Sequence, residues 1–114
     1  MPYLNVSTNQ TMDPQAKQTA VKKLSQACAE MLGKPESYMM VLLQDQQSMS
    51  FAGSSEPCAI VSLASLGLPE AKTGDFSNGL CNLISELISV TSERIYIHFT
   101  SPERHMWGWN KSTF

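Results

Sequence analysis

The chain has 114 residues, a formal net charge of −2, 42% hydrophobic residues and only 16% charged residues. This length predicts one domain, residues 1–114, and the hydrophobic fraction excludes wholesale disorder. The slight excess of acidic over basic residues argues against a nucleic-acid-binding protein, which usually carries a stripe of basic residues on its surface. Because average soluble proteins have roughly 25% charged residues, the low charge also predicts that a partner covers some surface, most simply another copy of the chain.

Targeting and cysteine patterns predict an ordinary cytoplasmic protein. Residues 1–10 mix apolar and polar side chains, so no signal peptide is indicated. No apolar run approaches the roughly 20 residues of a membrane span, so we expect no membrane partner. The three cysteines, Cys28, Cys58 and Cys81, are widely separated and form no C-x-x-C pair, which argues against a disulfide framework or a zinc site.

Two helices are predicted from apolar residues that recur at helical spacing. The first runs from about Pro14 to Gly33, with Asp13 and Pro14 as a natural beginning and Gly33 followed by Pro35 as a stop. The second runs from roughly Asp75 to Ser89. Each helix is followed by a short turn and an apolar run, as in a β-α-β unit.

Short apolar runs bounded by turn residues predict the strands. Four main strands are expected at Pro2–Ser7, Tyr38–Leu43, Cys58–Leu63 and Arg94–Phe99. Two shorter strands are expected within Ser48–Ser54 and His105–Asn110.

The two halves of the chain, about residues 1–57 and 58–114, repeat this β-α-β pattern. Leu24–Gln44 aligns without a gap with Leu80–Thr100. The sequence therefore predicts an α+β fold with a four-stranded mixed sheet and both helices on one face. The strands are apolar on both sides, so we expect self-association to bury the helix-free face.

Pro2 is the most unusual candidate for chemistry. Methionine is normally removed before a small residue, which would leave Pro2 with a free secondary amine. An apolar pocket and a nearby cation both lower the pKa of such an amine, giving a base that is neutral near physiological pH. This base could remove a proton next to a carbonyl. The alternative is that Pro2 merely begins an edge strand.

Six motifs, in order along the whole chain, resemble those of the macrophage migration inhibitory factor family. They are MPYLNVSTN at 1–9, GKPESYMMV at 33–41, MSFAGSSEPCA at 49–59, SLG at 65–67, RIYI at 94–97 and GWNKSTF at 108–114. The resemblance implies a homotrimer whose sheets surround a central channel. It also implies keto–enol tautomerase activity on phenylpyruvate-like or dopachrome-like substrates, at sites between subunits and without metal or organic cofactor.

The resemblance also implies roles for individual residues. Pro2 matches the catalytic proline, and Lys34 matches the lysine that holds the substrate carboxylate, although a lysine there also complements a helix dipole. Leu66 replaces the usual isoleucine, whose backbone N–H contacts substrate, and Ser65 precedes it. Tyr96 matches a tyrosine that reaches into the neighbouring subunit's site. The other matching residues line the pocket: Tyr38, Trp109 and Phe114.

Two positions depart from the family pattern. His98 stands where the family often has asparagine, and because histidine titrates near pH 6.5, substrate preference and pH profile are expected to differ. Vertebrate members carry a C-x-x-C pair beginning at the position of Cys58, but its partner position here is Val61, so the redox chemistry of that pair is not transferred.

Two alternatives to the enzymatic function remain open at this point. Members of this family act as secreted, cytokine-like ligands of a cell-surface receptor and leave cells without a signal peptide. In that case catalysis by this chain would be incidental. The other alternative is a structural trimer with a vestigial pocket, which is disfavoured because Pro2, Lys34 and the aromatic pocket residues occur together.

Overall fold

Two β-α-β units follow one another in the computed structural model, which describes residues 1–114. Both predicted helices and all four predicted main strands are present, with ends that differ from the prediction by at most two residues. The elements are β1 (Pro2–Thr8), α1 (Pro14–Leu32), β2 (Met40–Gln44), β3 (Ala59–Ser65), α2 (Thr73–Ile88), β4 (Ile95–Thr100), β5 (Gly108–Trp109) and β6 (Ser112–Thr113).

The four main strands form one mixed sheet in the order β2-β1-β3-β4. Within each unit the strands are parallel, so β1 pairs with β2 and β3 pairs with β4. The two units meet at the antiparallel pair β1–β3, in which Pro2 lies opposite Ser65. Strands β5 and β6 form a separate antiparallel hairpin near the end of the chain.

Local signals begin and end helix α1 as the sequence predicts. The Asp13 carboxylate accepts a hydrogen bond from the Gln15 N–H at 3.1 Å, and Pro14 occupies the first turn. Gly33 ends the helix in the left-handed region at φ 66°. This sharp end directs the chain into the turn that carries Lys34. Neither helix combines the length and apolar character that crossing a bilayer requires.

The hydrophobic core lies between the two helices and one face of the sheet. Burying a large aliphatic side chain stabilises a fold by roughly 1.5–3 kcal/mol, so this layer supplies most of the driving force for folding. Alternate strand residues enter the core, as the period of a β-strand requires. Fully buried members include Leu4, Val6, Leu24, Val61, Leu63, Leu80 and Ile84.

The opposite face of the sheet, which we term the open sheet face, carries no helix. It comprises the strand residues that alternate with those in the core, and several of them are large and apolar. Met40 is 65% exposed, Tyr96 63%, Leu42 42% and Ile60 41%. An exposed apolar sheet face is typical of a surface that another chain covers.

The expected strand at Ser48–Ser54 is wrong. This segment contains only an isolated bridge between Phe51 and Ser54. The physical reason is the left-handed backbone at Ala52 (φ 54°) and Gly53 (φ 73°), which folds the segment back on itself.

The expected strand at His105–Asn110 forms only in part. Arg104–Met106 is a single 3₁₀ turn, in which the Met106 N–H donates to the Glu103 carbonyl at 2.9 Å. Regular pairing is confined to Gly108–Trp109, which lies opposite Ser112–Thr113. Similarly, Tyr38 ends a 3₁₀ turn, and β2 begins only at Met40.

Candidate functional site

Two adjoining cavities lie where β1 and β2 begin. The larger, about 720 Å³, is lined mainly by apolar and aromatic side chains, and we term it the aromatic cavity. The smaller, about 340 Å³, contains Lys34 and Arg104, and we term it the cationic cavity. Met1 and Phe114 line both, so a molecule of modest size could extend from one cavity into the other.

Pro2 begins β1 and lies at the wall of the aromatic cavity, with its side chain fully buried. Its nitrogen forms a peptide bond with Met1 and therefore has no basic lone pair while Met1 is present. Opposite Pro2 in the sheet, Ser65 is also fully buried, and its hydroxyl has no hydrogen-bond partner. Ser65 therefore borders Pro2 without lining either cavity.

The surroundings of the N-terminal amine are positive. Burial lowers the pKa of the Met1 amino group, and the charges of Lys34 and Arg104 lower it further. Lys34 follows the end of α1, where its backbone N–H donates to the Ala29 carbonyl at 2.9 Å. These neighbours disfavour a positive charge at the junction of the two cavities and favour an anion there.

Three aromatic rings form one side of the aromatic cavity. Tyr38 meets Trp109 edge-on with ring centroids 6.0 Å apart, and Trp109 stacks on Phe114 at 5.8 Å with an interplanar angle of 9°. The turn of the β5–β6 hairpin has left-handed backbone at Asn110 and Lys111, which reverses the chain. This reversal brings Phe114 beside Trp109.

Leu66 lines the cationic cavity together with Gly67. It directly follows β3, so the strand fixes the position of its backbone at the cavity wall. The cavities thus bring together these sequence-predicted residues: Pro2, Lys34, Tyr38, Leu66, Trp109 and Phe114.

Tyr96 and His98 line neither cavity of their own chain. Both are exposed on β4, on the open sheet face, where they lie opposite Ile60 and Ser62 of β3. The Tyr96 ring also contacts Phe51 edge-on, with centroids 4.9 Å apart. Within one chain these two residues are therefore separate from the other predicted site residues.

Sequence reasoning missed Arg104. Arg104 is exposed in a short turn, and no periodic pattern marks it as a site residue. The only available signal was its charge within the polar segment 101–105. The fold, by contrast, brings Arg104 to the same cavity as Lys34 from the other half of the chain.

The cysteines and acidic residues offer no alternative centre. Cys28 is fully buried, and burial raises the pKa of its thiol to about 12, which keeps the thiol protonated and unreactive. Cys58 is also buried, Cys81 is half-buried and no disulfide is formed. No group of three or more histidine, cysteine, aspartate or glutamate residues is arranged to hold a metal ion.

Comparison with known proteins agrees with this arrangement. The sequence model of the family described as "Macrophage migration inhibitory factor (MIF)" matches residues 1–114. The macrophage migration inhibitory factors of Meriones unguiculatus and Rattus norvegicus are each 36% identical, over 115 and 117 residues, covering 100% of this chain and 99% of those proteins. A homologue from Prochlorococcus marinus has a crystal structure that is similar with a TM-score of 0.93 and 35% identity, covering 98% of both chains. The chain belongs to the macrophage migration inhibitory factor family.

Proposed function

We propose that the protein is a cofactor-independent keto–enol tautomerase that acts on phenylpyruvate-like or dopachrome-like substrates with Pro2 as the base. The observation that carries this proposal is the position of Pro2, buried beside an aromatic cavity that adjoins a cationic one. Family membership supports an isomerase-type activity. The two cavities, one suited to an aromatic ring and one to a carboxylate, support the substrate class that the family resemblance implies.

The substrate carboxylate lies near Lys34, and its ring lies among Tyr38, Trp109 and Phe114. Once Met1 has been removed, the Pro2 amine takes the proton from the carbon next to the ketone. The electron pair of that C–H bond forms the new carbon–carbon double bond, and the carbonyl oxygen gains the negative charge. The Pro2 ammonium then returns a proton to this oxygen, so the keto form becomes the enol with no net gain or loss of atoms.

A neutral amine is required for this mechanism, and the local charges favour one. The pKa of the Met1 amine is lowered by burial and by two cations, Lys34 and Arg104. The Pro2 amine would lie one residue further into the same surroundings. We therefore expect its pKa to be lowered as well, so that a useful fraction is unprotonated near neutral pH.

We further propose that the working unit is a homotrimer, in which Tyr96 and His98 of a neighbouring chain complete the site. Their exposure on the open sheet face supports this arrangement, as does the amount of exposed apolar surface on that face. His98 can donate or accept a hydrogen bond, so a substrate contact from His98 would influence substrate preference.

The test is enol formation from phenylpyruvate by protein whose loss of Met1 is verified by intact mass. A positioned acid–base group contributes about 10²–10⁴-fold to rate, so we expect Pro2→Gly to lose activity by at least about 10²-fold. Pro14→Ala, which changes an exposed proline at the beginning of α1, is the matched control and should retain activity. Equal rates in Pro2→Gly and the unchanged protein would exclude Pro2 as the base.

We propose as a second candidate function that of a secreted, cytokine-like ligand of a cell-surface receptor. The names of the curated relatives, macrophage migration inhibitory factors, support an action on macrophages. Such a protein would occur in the cytoplasm and be released from the cell by a non-classical route. A macrophage migration assay with purified Pro2→Gly protein separates the two functions. Retained inhibition of migration by this variant supports a ligand role independent of catalysis, whereas no effect of the unchanged protein excludes the ligand role.

A further inference from the structure

The cationic cavity contains two positive side chains and no negative one. Among the side chains that line it, only those of Lys34 and Arg104 are charged. The chain as a whole carries more acidic than basic residues, and its two salt bridges join Lys17 to Asp45 and His105 to Glu103. Both cations of this cavity therefore lack a carboxylate partner.

The neighbouring Glu103 does not neutralise Arg104 either. It is adjacent to Arg104 in sequence, but its carboxylate lies 3.4 Å from the His105 ring nitrogen instead of pairing with the guanidinium. Arg104 is thus left available for an anion from solution. An unpaired cation of this kind gains most from a ligand that carries a carboxylate.

Backbone hydrogen bonds hold Arg104 at the rim of the cavity. The Trp107 N–H donates to the Arg104 carbonyl at 3.3 Å, and the Phe114 N–H donates to the Trp107 carbonyl at 3.2 Å. The turn that carries Arg104 is therefore connected by hydrogen bonds to Phe114, which lines both cavities. On the other side, the end of α1 holds the backbone of Lys34, so the two cations approach the cavity from separate, ordered elements.

We propose that Arg104 is a second carboxylate-binding residue, which acts with Lys34 to make the site specific for substrates that carry a free carboxylate. This inference rests on the proposed function and names the determinant of its substrate class. A guanidinium can donate two parallel hydrogen bonds to the two carboxylate oxygens, while a lysine supplies a compact charge. Arg104 thus supplies paired hydrogen bonds and Lys34 a second positive charge, so that the two together bind a carboxylate more tightly than either alone.

Discrimination against neutral substrates follows from the same arrangement. An ester of the same acid would leave both cations facing a group without charge. A site built to bind a charged group rejects the analogue lacking it more strongly than an apolar pocket rejects a size difference. We therefore expect the preference for free acids over esters to depend on Arg104.

The experiment measures binding of 3-phenylpropionate and its methyl ester, which lack the ketone and cannot react. Calorimetry is performed on the full chain without Met1, in unchanged form and as Arg104→Ala, Arg104→Lys and Lys22→Ala. A hydrogen bond to a charged group is worth about 1.5–3 kcal/mol, so Arg104→Ala should bind the acid at least about tenfold more weakly. Its binding of the ester should be unchanged, and Arg104→Lys should recover part of the affinity for the acid.

Lys22→Ala removes the same charge from an exposed position on α1 and should bind both compounds like the unchanged protein. Equal affinity of Arg104→Ala and the unchanged protein for 3-phenylpropionate overturns the inference. The inference is also overturned if Arg104→Ala binds the acid and the ester more weakly by the same factor, which would indicate a general structural effect. A lack of acid binding by the unchanged protein overturns it as well. If the acid binds as expected while Pro2→Gly retains full activity, only the proposed mechanism fails.

Discussion

Single side chains connect distant segments of this fold by charged hydrogen bonds, and Asp45 is the best example. It directly follows β2, where its carboxylate accepts from the Met12 N–H at 2.9 Å and from the Lys17 ammonium at 3.0 Å. The hydrogen bond from Met12 and then that from Lys17 lower the pKa of this carboxyl group. Asp45 thereby joins the end of β2 to the beginning of α1.

We expect Asp45→Asn to lower the free energy of unfolding at pH 7. Because the pKa of Asp45 is lower in the folded than in the unfolded state, its contribution is fully present above the unfolded pKa of about 3.9. The contribution is lost as the pH falls further toward the folded pKa. Urea unfolding should therefore show a deficit at pH 7 that narrows below about pH 4.

The control for this prediction is Glu86→Gln, which alters an exposed carboxylate on α2 that takes part in neither salt bridge. Its stability relative to the unchanged protein should vary little between these pH values. A deficit in Asp45→Asn that stayed constant with pH would show that the carboxylate charge is not what stabilises this junction.

At the scale of elements, the end of α1 determines where the substrate carboxylate is expected to bind. Gly33 adopts φ 66°, and its N–H donates to the carbonyls of Ala29 and Glu30. This conformation turns the chain so that Lys34 lies at the cationic cavity. The helix end is therefore both a local stop signal and a positioning device.

We expect Gly33→Ala to destabilise the protein by about 1–2 kcal/mol, because a Cβ atom is unfavourable in left-handed backbone. Gly74→Ala is the matched control: it lies within α2 and has open space for a Cβ atom, so the change should be neutral or stabilising by up to about 1 kcal/mol. Urea denaturation measures both variants. Equal stability of the two would contradict the assigned role of the Gly33 backbone.

In the molecule as a whole, the proposed site residues are divided between the two cavities and the open sheet face. Tyr96 lies on this face opposite Ile60, whereas Pro2 and Lys34 line the cavities. One chain therefore cannot bring all of the proposed site residues together. A trimer built through this face would bury the exposed apolar residues and supply Tyr96 and His98 to a neighbour.

We expect analytical ultracentrifugation of the unchanged protein to give about three times the chain mass of 12.6 kDa. Ile60→Lys places a charge on the open sheet face and should shift the protein toward single chains with loss of phenylpyruvate tautomerisation, because burying an unpaired charge is costly. Gln26→Lys, on the exposed side of α1, should change neither mass nor activity. A monomeric unchanged protein, or an Ile60→Lys variant that keeps its mass, would contradict assembly through this face.

The helices and main strands were predictable because their signals lie within short stretches of sequence. Apolar spacing shows which side of α1 and α2 faces the core, and Asp13 and Gly33 mark the ends of α1 through their own backbone preferences. The expected strand at Ser48–Ser54 was wrong because left-handed backbone at Ala52 and Gly53 folds the segment back on itself, which apolar spacing does not reveal.

The candidate site, like the fold, was predictable from the sequence only in part. Pro2 and Lys34 were identifiable from the sequence because each lies in a recognisable motif, and low overall charge by itself predicted a covered surface. The folded chain, however, is needed to show that Arg104 shares a cavity with Lys34 and that Tyr96 and His98 lie apart from Pro2 on the open sheet face. Periodicity reports which side of an element is buried, but a cavity forms where elements distant in sequence converge, and that convergence depends on the packing of the entire chain.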